Sequence, residues 1–364
     1  MNQILLKTEF ESTSEFFIPI PPSTAAFTQS NRLSESNVGV GWVFFSGARP
    51  WPCLVLATAS LLGFLNPQIT IIIAPWPFLL ALALFGMPHG AADWSIESKL
   101  MHRRGFIARL FGFKNYLLWM LACTLLIALA PGFAILGFLL LTVFHFGMAD
   151  ANAVGADEDG FVARWALVIS RGLLLLSTAF ALHAQEAWRP FSQIAQAISL
   201  WPQSSWMPNI VYLAQLATIG MVFGGLLAFF GCVARMMRGH WREAIQDMCE
   251  HSLVVVLAVF SDPLFAIGCF FIGVHAFRHT RRLAQTRIIL EPPACHPNFW
   301  ARVIHVHFLS LPLLLPTAAC LLPLCWMLGS FDARTIAVSS IAFYMITTLP
   351  HHLLGLKLPA VDLR

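Results

Sequence analysis

Thirteen histidines occur in this 364-residue chain, and several stand inside or at the ends of apolar runs. His275 and His279, in "GVHAFRH", are four residues apart, which stacks them on one helix face and lets both rings reach a single ion. His89, in "GMPHGAADW", and His145, in "TVFHFGMAD", each close another apolar run, and "LPHHLLG" adds His351 and His352. Imidazole suits iron, zinc, copper or nickel. The absence of an HExxH or a carboxylate-rich helix pattern argues against a hydrolytic zinc site and against a carboxylate-bridged di-iron bundle. An all-histidine mononuclear centre, Fe(2+) held by His89, His145, His275 and His279, is the leading reading. Asp93 follows His89 by four residues and Asp150 follows His145 by five, where a carboxylate can accept a proton from the far nitrogen of a metal-bound ring. The plainer alternative is that both acids only end a helix in the water layer. Arg171, in "ISRGLLLL", sits mid-run and needs an internal partner, with Asp150 and Asp93 as the candidates.

The elements that must carry these residues follow from composition. Hydrophobic residues make up 58% of the chain and charged residues 11%, far from the roughly one-quarter charged of soluble domains. Runs of about 20 apolar residues suffice to cross a bilayer, and ten can be read: about 50–66, 68–88, 115–131, 133–149, 163–183, 209–233, 243–260, 262–279, 302–326 and 334–354. They are too long and uninterrupted for barrel strands. The expected fold is an all-α polytopic membrane protein, a single bundle over residues 46–354. An N-terminal tail over 1–45 reads as flexible and cytoplasmic, and a short C-terminal tail covers 355–364. Lys99, Arg103, Arg104, Arg109 and Lys114 lie between the second and third runs, Arg235, Arg238 and Arg242 between the sixth and seventh, and Arg278, Arg281, Arg282, Arg287 and Arg302 between the eighth and ninth. The positive-inside rule makes these loops cytoplasmic, with both chain ends inside the cell's inner membrane. The acidic loop at Asp157, Glu158 and Asp159 is a mild exception. On this topology the second, fourth, eighth and tenth spans deliver His89, His145, His275, His279, His351 and His352 to one depth.

Other features read as structural. The eight cysteines form no CxxC pair and suit packing. The net charge of +4 is a loop effect and does not indicate nucleic acid. Tryptophans such as Trp51, Trp94, Trp188, Trp241 and Trp300 fall near span ends and suggest an interfacial belt. His102, His183, His240 and His296 read as solvated. His251, His305 and His307 lie near the histidine level and are candidates for a supporting role.

In order along the chain, "GMPHGAADW", "FHFGMAD", "SRG", "FFIGVHAFRH" and "LPHH" resemble the Brp/Blh family of membrane-bound β-carotene dioxygenases, or bacterioopsin-related proteins, over nearly the whole membrane portion. The resemblance implies non-haem iron, O₂ as co-substrate and cleavage of the central double bond of β-carotene to two molecules of retinal. Its iron ligands fall on His89, His145, His275 and His279, and its closing proline–histidine element on Pro350 and His351. The chain departs from the pattern at Phe270 and Ala276, where a tyrosine and a serine are expected, which bears on the carotenoid chosen. A retinal-using opsin would be a natural product acceptor. A substrate that dissolves only in lipid needs a tunnel open to the bilayer, and Phe85, Phe144, Phe146, Phe270, Phe271 and Phe277 flank the histidine motifs as candidate lining. A fifth iron ligand would consume a position that O₂ needs, so His351, with His352, is expected to orient a ligand or close the pocket. Two rivals stay open. A fatty-acid desaturase or hydroxylase needs more HxxxH and HxxHH clusters than this chain has. A carotenoid- or retinal-binding protein without catalysis would use its histidines as interhelical hydrogen-bonders.

Overall fold

The computed structural model describes residues 50–154, 156, 160–201, 209–285 and 299–357. The expectations for residues 1–45, the acidic loop, Arg287, Cys295, His296 and residues 358–364 lie outside the described residues. Among those described, every regular element is a helix. Asn66 ends α1 (Pro50–Leu65) and starts α2 (Pro67–Ile73): its side chain accepts the Ile69 N–H at 3.2 Å, and Pro67 fills the first helical position. The chain bends by 116° at this break. Next comes α3, which runs through Pro75–Ala81, a π-helical turn at Leu82–Gly86 and Met87–Ala91. It is followed by α4 (Asp93–Leu100), α5 (Phe106–Leu129), α6 (Pro131–Ala153), α7 (Phe161–Leu182) and α8 (Ala184–Ile198). The rest are α9 (Ile210–Met237), α10 (Trp241–Phe260), α11 (Pro263–Phe270, a π turn at Phe271–His275, then Ala276–Gln285), α12 (Phe299–Met327) and α13 (Ala333–Gly355).

Five of these helices, α5, α6, α7, α9 and α12, are long and apolar enough to cross a membrane, and the bent α1–α2 pair adds a sixth only if counted as one broken span. The all-helical membrane architecture stands, with fewer qualifying spans than the ten read from hydropathy. The difference has local causes. Helix α10 carries Arg242, Glu243, Asp247 and Glu250, while α3 and α11 are interrupted by π turns. Helix α8 falls in what reads as a loop: its polar residues mask an amphipathic helix that buries Trp188, Phe191 and Ile194 in the main core. Trp188 and Trp94 are therefore core residues and not part of an interfacial belt, whereas Trp241 is exposed.

Helices α6 and α7 touch through their backbones. A Cβ on Gly147 would collide with the Val168 carbonyl, and one on Gly172 with the Val143 carbonyl. Reciprocal glycines allow this approach, as small residues do between membrane helices. The contact fixes the helix that carries His145 against the helix that carries Arg171.

Candidate metal centre

Pro88 explains the shape of α3. A proline within a helix has no N–H for the carbonyl four residues back and clashes with it. The turn just before it, Leu82–Gly86, opens into a π turn, and the Leu84 carbonyl is met by His307 Nε2 of α12 at 2.6 Å. His307 thus supports the backbone one turn before His89. In α11 the second π turn ends on His275 itself. Single π turns recur at functional sites, where they re-aim a side chain.

His89, His145, His275, His279 and His351 are all buried, at 1–7% exposure. Their rings form a closed circuit, with centroid separations of 4.8 Å (His89–His279), 5.1 Å (His279–His351), 5.2 Å (His351–His145), 4.8 Å (His145–His275) and 6.2 Å (His275–His89). His352 lies at the edge, its Nδ1 3.3 Å from His145 Nδ1. Several ring nitrogens are buried with no hydrogen-bond partner: His275 Nδ1, both nitrogens of His279, and His351 Nε2. Such atoms are costly to leave unsatisfied, and a bound ion is one way to satisfy them. Imidazoles bonded to one ion at about 2.1 Å have ring centres roughly 4.5–6.5 Å apart, the range seen in the circuit. As placed, no three His, Cys, Asp or Glu side chains among the described residues form a metal-holding group. Small rotations would bring the nitrogens onto one point, because imidazole χ2 is a broad, soft torsion that turns nitrogens without moving helices. The donor set fits a metal that accepts imidazole.

The acids fall differently from their expected places. Asp93 serves His351 and not His89: its Oδ2 lies 2.7 Å from His351 Nδ1 and accepts the Tyr116 hydroxyl at 3.0 Å. His89 instead turns Nδ1 back to the Phe85 carbonyl at 2.7 Å, because helical side chains lean toward the N-terminus. Asp150 does not reach His145. A residue five positions on lies about 140° around the helix, and Asp150 faces Arg278 of α11 at 3.6 Å. Arg171 is held by Asp247 at 2.5 Å and Glu250 at 2.9 Å, both on α10, with the expected Asp150 near enough to attract it through space, whereas Asp93 serves His351. Arg235 also pairs with Asp247, and Arg278 reaches Glu250 at 2.6 Å. Among the described residues, three arginines and three acids so form a buried cluster behind the histidines. His251 belongs to this cluster, bonded to the Asp247 carbonyl and 3.1 Å from Ser170 Oγ. His183 is not solvated in isolation, since its Nε2 meets the Val259 carbonyl at 3.0 Å. Sequence reading missed Asp247 and Glu250. Two acids three apart within the apolar run of α10 were the available signal.

The histidines close one end of a cavity of about 340 Å³, which His89, His145, His275 and His351 all line. Its walls are mostly apolar. Of the six flanking phenylalanines only Phe146 and Phe271 reach it. Phe144 is 42% exposed on the outer surface, Phe270 packs on Phe146, and Phe85 and Phe277 pack on each other. The rest of the lining includes Phe78, Phe113, Phe138, Phe191, Phe343 and Tyr344. Helical spacing was the signal missed: Phe138 and Thr142 precede His145 on its face of α6, and Ile341, Tyr344 and Thr348 precede His351 on its face of α13. Leu110 and Leu117 of α5 and Pro316 and Cys320 of α12 line the cavity and are also exposed on the outside, so the cavity reaches the lipid-facing surface between these helices.

Fold and site together define a helical membrane protein that buries a ring of imidazoles at the foot of an apolar cavity open to lipid. Residues 80–359 match the model of the β-carotene 15,15'-dioxygenase family, and the chain belongs to that family. The β-carotene 15,15'-dioxygenase of an uncultured marine bacterium, 66A03, is 27% identical over 210 residues, which cover 56% of this chain and 67% of that protein. No solved structure matches.

Proposed function

We propose that this protein is an iron-dependent oxygenase that cleaves the central double bond of β-carotene with O₂, giving two molecules of retinal. The observation that carries this reading is the convergence of buried imidazoles from α3, α6, α11 and α13 on one end of an apolar cavity, in a chain of the β-carotene 15,15'-dioxygenase family. His89, His145, His275 and His279 would hold the iron, which when bound would activate O₂ toward the double bond, while the electrons that reduce O₂ to the two carbonyl oxygens come from the carbon–carbon double bond that breaks. Phe146, Phe271 and Tyr344 wall the cavity beside the rings and favour a flat, conjugated hydrocarbon over water. Cavities for small ligands span roughly 300–1,000 Å³. At about 340 Å³ this one sits at the small end, so a long polyene would project through the opening between α5 and α12 into the lipid from which it comes. Retinal would leave by the same route, and a retinal-binding opsin would be its natural acceptor. Both chain ends are assigned to the cytoplasmic face on the strength of the basic loops.

The test is expression in a β-carotene-accumulating bacterium, followed by pigment chromatography. β-Carotene should fall as retinal rises, and the purified protein should carry about one iron per chain. Alanine at any of His89, His145, His275 or His279 should strip the metal. Cells that keep their β-carotene, or cleavage by metal-free protein, would overturn the reading.

A further inference from the structure

Two histidines in this chain directly follow a proline inside a helix, His89 after Pro88 and His351 after Pro350. The first is a ligand in the four-histidine reading. The second has the same standing in the structure. The His351 ring lies 5.2 Å from His89, 5.2 Å from His145 and 5.1 Å from His279, nearer to all three than His275 is to His89. Without His351 the circuit has a gap between His145 and His279, whose own rings are 6.5 Å apart.

Against the expectation from sequence that His351 only orients a ligand or closes the pocket, we propose that it is a fifth metal-facing imidazole, oriented by a hydrogen-bond chain from Tyr116 through Asp93, so that the ion would be held from α13 as well as from α3, α6 and α11. This rests on the metal reading above. The atoms of the chain point one way. Tyr116 is a donor to Asp93 Oδ2, and the same oxygen takes the Nδ1–H of His351. With its proton held at Nδ1, His351 presents the Nε2 lone pair, and Nε2 is the atom that is buried without a partner. A carboxylate that fixes the tautomer of an imidazole is the usual support of a metal-binding histidine. His352, next in sequence, has no such carboxylate among the described residues: it is half-buried, with its Nδ1 3.3 Å from His145 Nδ1. The chain also accounts for Asp93 and Tyr116, which lie beside a cavity that otherwise has little use for a carboxylate. A metal held from α13 makes closure of the cavity wall depend on the ion, because Ile341, Tyr344 and Thr348 of that helix line the cavity.

The experiment uses the whole protein in detergent, stripped of metal and titrated with Co²⁺, whose visible absorption reports coordination number and ligand type. Wild type and His351→Ala, Asp93→Asn and Tyr116→Phe variants are compared after size-exclusion chromatography has shown each to be monodisperse. Asp93→Asn should weaken Co²⁺ binding about 10- to 100-fold, as loss of such a support typically does. His351→Ala should weaken it at least as much and shift the spectrum toward lower coordination, and added imidazole should move the spectrum back. Tyr116→Phe should keep the wild-type spectrum with a smaller loss of affinity. If wild type binds Co²⁺ while His351→Ala and Asp93→Asn bind it with unchanged affinity and spectrum, the fifth imidazole is overturned and the four-histidine site stands. If wild type binds neither Co²⁺ nor Fe²⁺, the metal reading itself falls, and this inference with it.

Discussion

Glu250 is the joint of the buried charge cluster, and its removal should be among the costliest single changes in the molecule. Its Oε2 accepts from Arg171 at 2.9 Å and its Oε1 from Arg278 at 2.6 Å, and all three side chains are at most 4% exposed. Glu250→Ala removes the carboxylate that Arg171 and Arg278 share and leaves, among the described residues, Asp247 and Asp150 as the acids facing the three arginines. Removing one member of a buried pair typically costs about 3–5 kcal/mol, because the remaining charge is stranded. An unfolding entropy of about 2.1 cal/mol/K per residue makes each kcal/mol worth roughly 1.3 °C in a chain of 364 residues, so the midpoint of thermal unfolding should drop by about 4–7 °C. Glu250→Gln keeps the shape and one acceptor oxygen, so it should lose less. Adding Arg278→Met to Glu250→Met restores the charge balance and should recover part of the loss, since an apolar replacement of a buried pair is often near neutral. The assay is thermal unfolding in detergent, followed by the fraction of monodisperse protein that remains after heating. A Glu250→Ala midpoint within about 2 °C of wild type, or a double variant no more stable than Glu250→Met alone, would refute the idea that these charges act as one unit.

Two further outcomes follow from single contacts. Thr142→Trp places a large ring in the cavity one turn before His145, so carotene turnover should fall at least tenfold while iron content, measured on the same sample, stays at the wild-type level. His307→Leu leaves the Leu84 carbonyl without its 2.6 Å donor and should cost about 1–3 kcal/mol of stability, read as a lower unfolding midpoint with no new absorbance in a Co²⁺ titration.

The meeting of the histidines was legible because two independent signals agreed. Loop charge was read as putting these run ends on one side, although two of the arginines counted, Arg235 and Arg278, are buried within helices in the ion-pair cluster, and HxxxH spacing put two of the rings on one face. The pairings around them were not legible, for a geometric reason. Sequence distance places Asp93 next to His89 and Asp150 next to His145, but a helical side chain leans toward its own N-terminus and a five-residue step turns well away from the starting face. Asp93 and Asp150 therefore serve residues 258 and 128 positions further on, His351 and Arg278. Counting apolar runs gave more spans than length and composition support. The run 243–260 was counted although α10 carries Arg242, Glu243, Asp247 and Glu250, of which the last two find Arg171, Arg235 and Arg278 inside the protein. The break at Asn66–Pro67 was legible, since one run ends and the next begins there, but the prolines and π turn of α3 were averaged over within the run 68–88.

The same motifs that mark the site also divide its walls into two kinds. In "FHFGMAD", His145 joins the ring, Phe146 lines the cavity, Gly147 seats α6 against the Val168 backbone and Asp150 faces Arg278. In "SRG", Ser170 meets His251, Arg171 enters the acid cluster and Gly172 returns the glycine contact to Val143. These residues tie α6, α7, α10 and α11 together with ion pairs and backbone contact, so His145, His275 and His279 stand on a wall with little room to adjust. The opposite wall is α3, α12 and α13, each with proline inside a helical run, including Pro312, Pro316 and Pro323 of α12. Proline removes backbone hydrogen bonds that a lipid-facing helix cannot replace from solvent, and in α3 the loss is met by a side chain, His307. A wall built this way can bend at its prolines without breaking a hydrogen-bond ladder. It is also the wall next to the opening at Pro316 and Cys320. That asymmetry suits a site that admits a stiff hydrocarbon from the bilayer: one side keeps His145, His275 and His279 in register, while the other, which carries His89 and His351, lets the substrate past and brings the remaining rings back to complete the circuit.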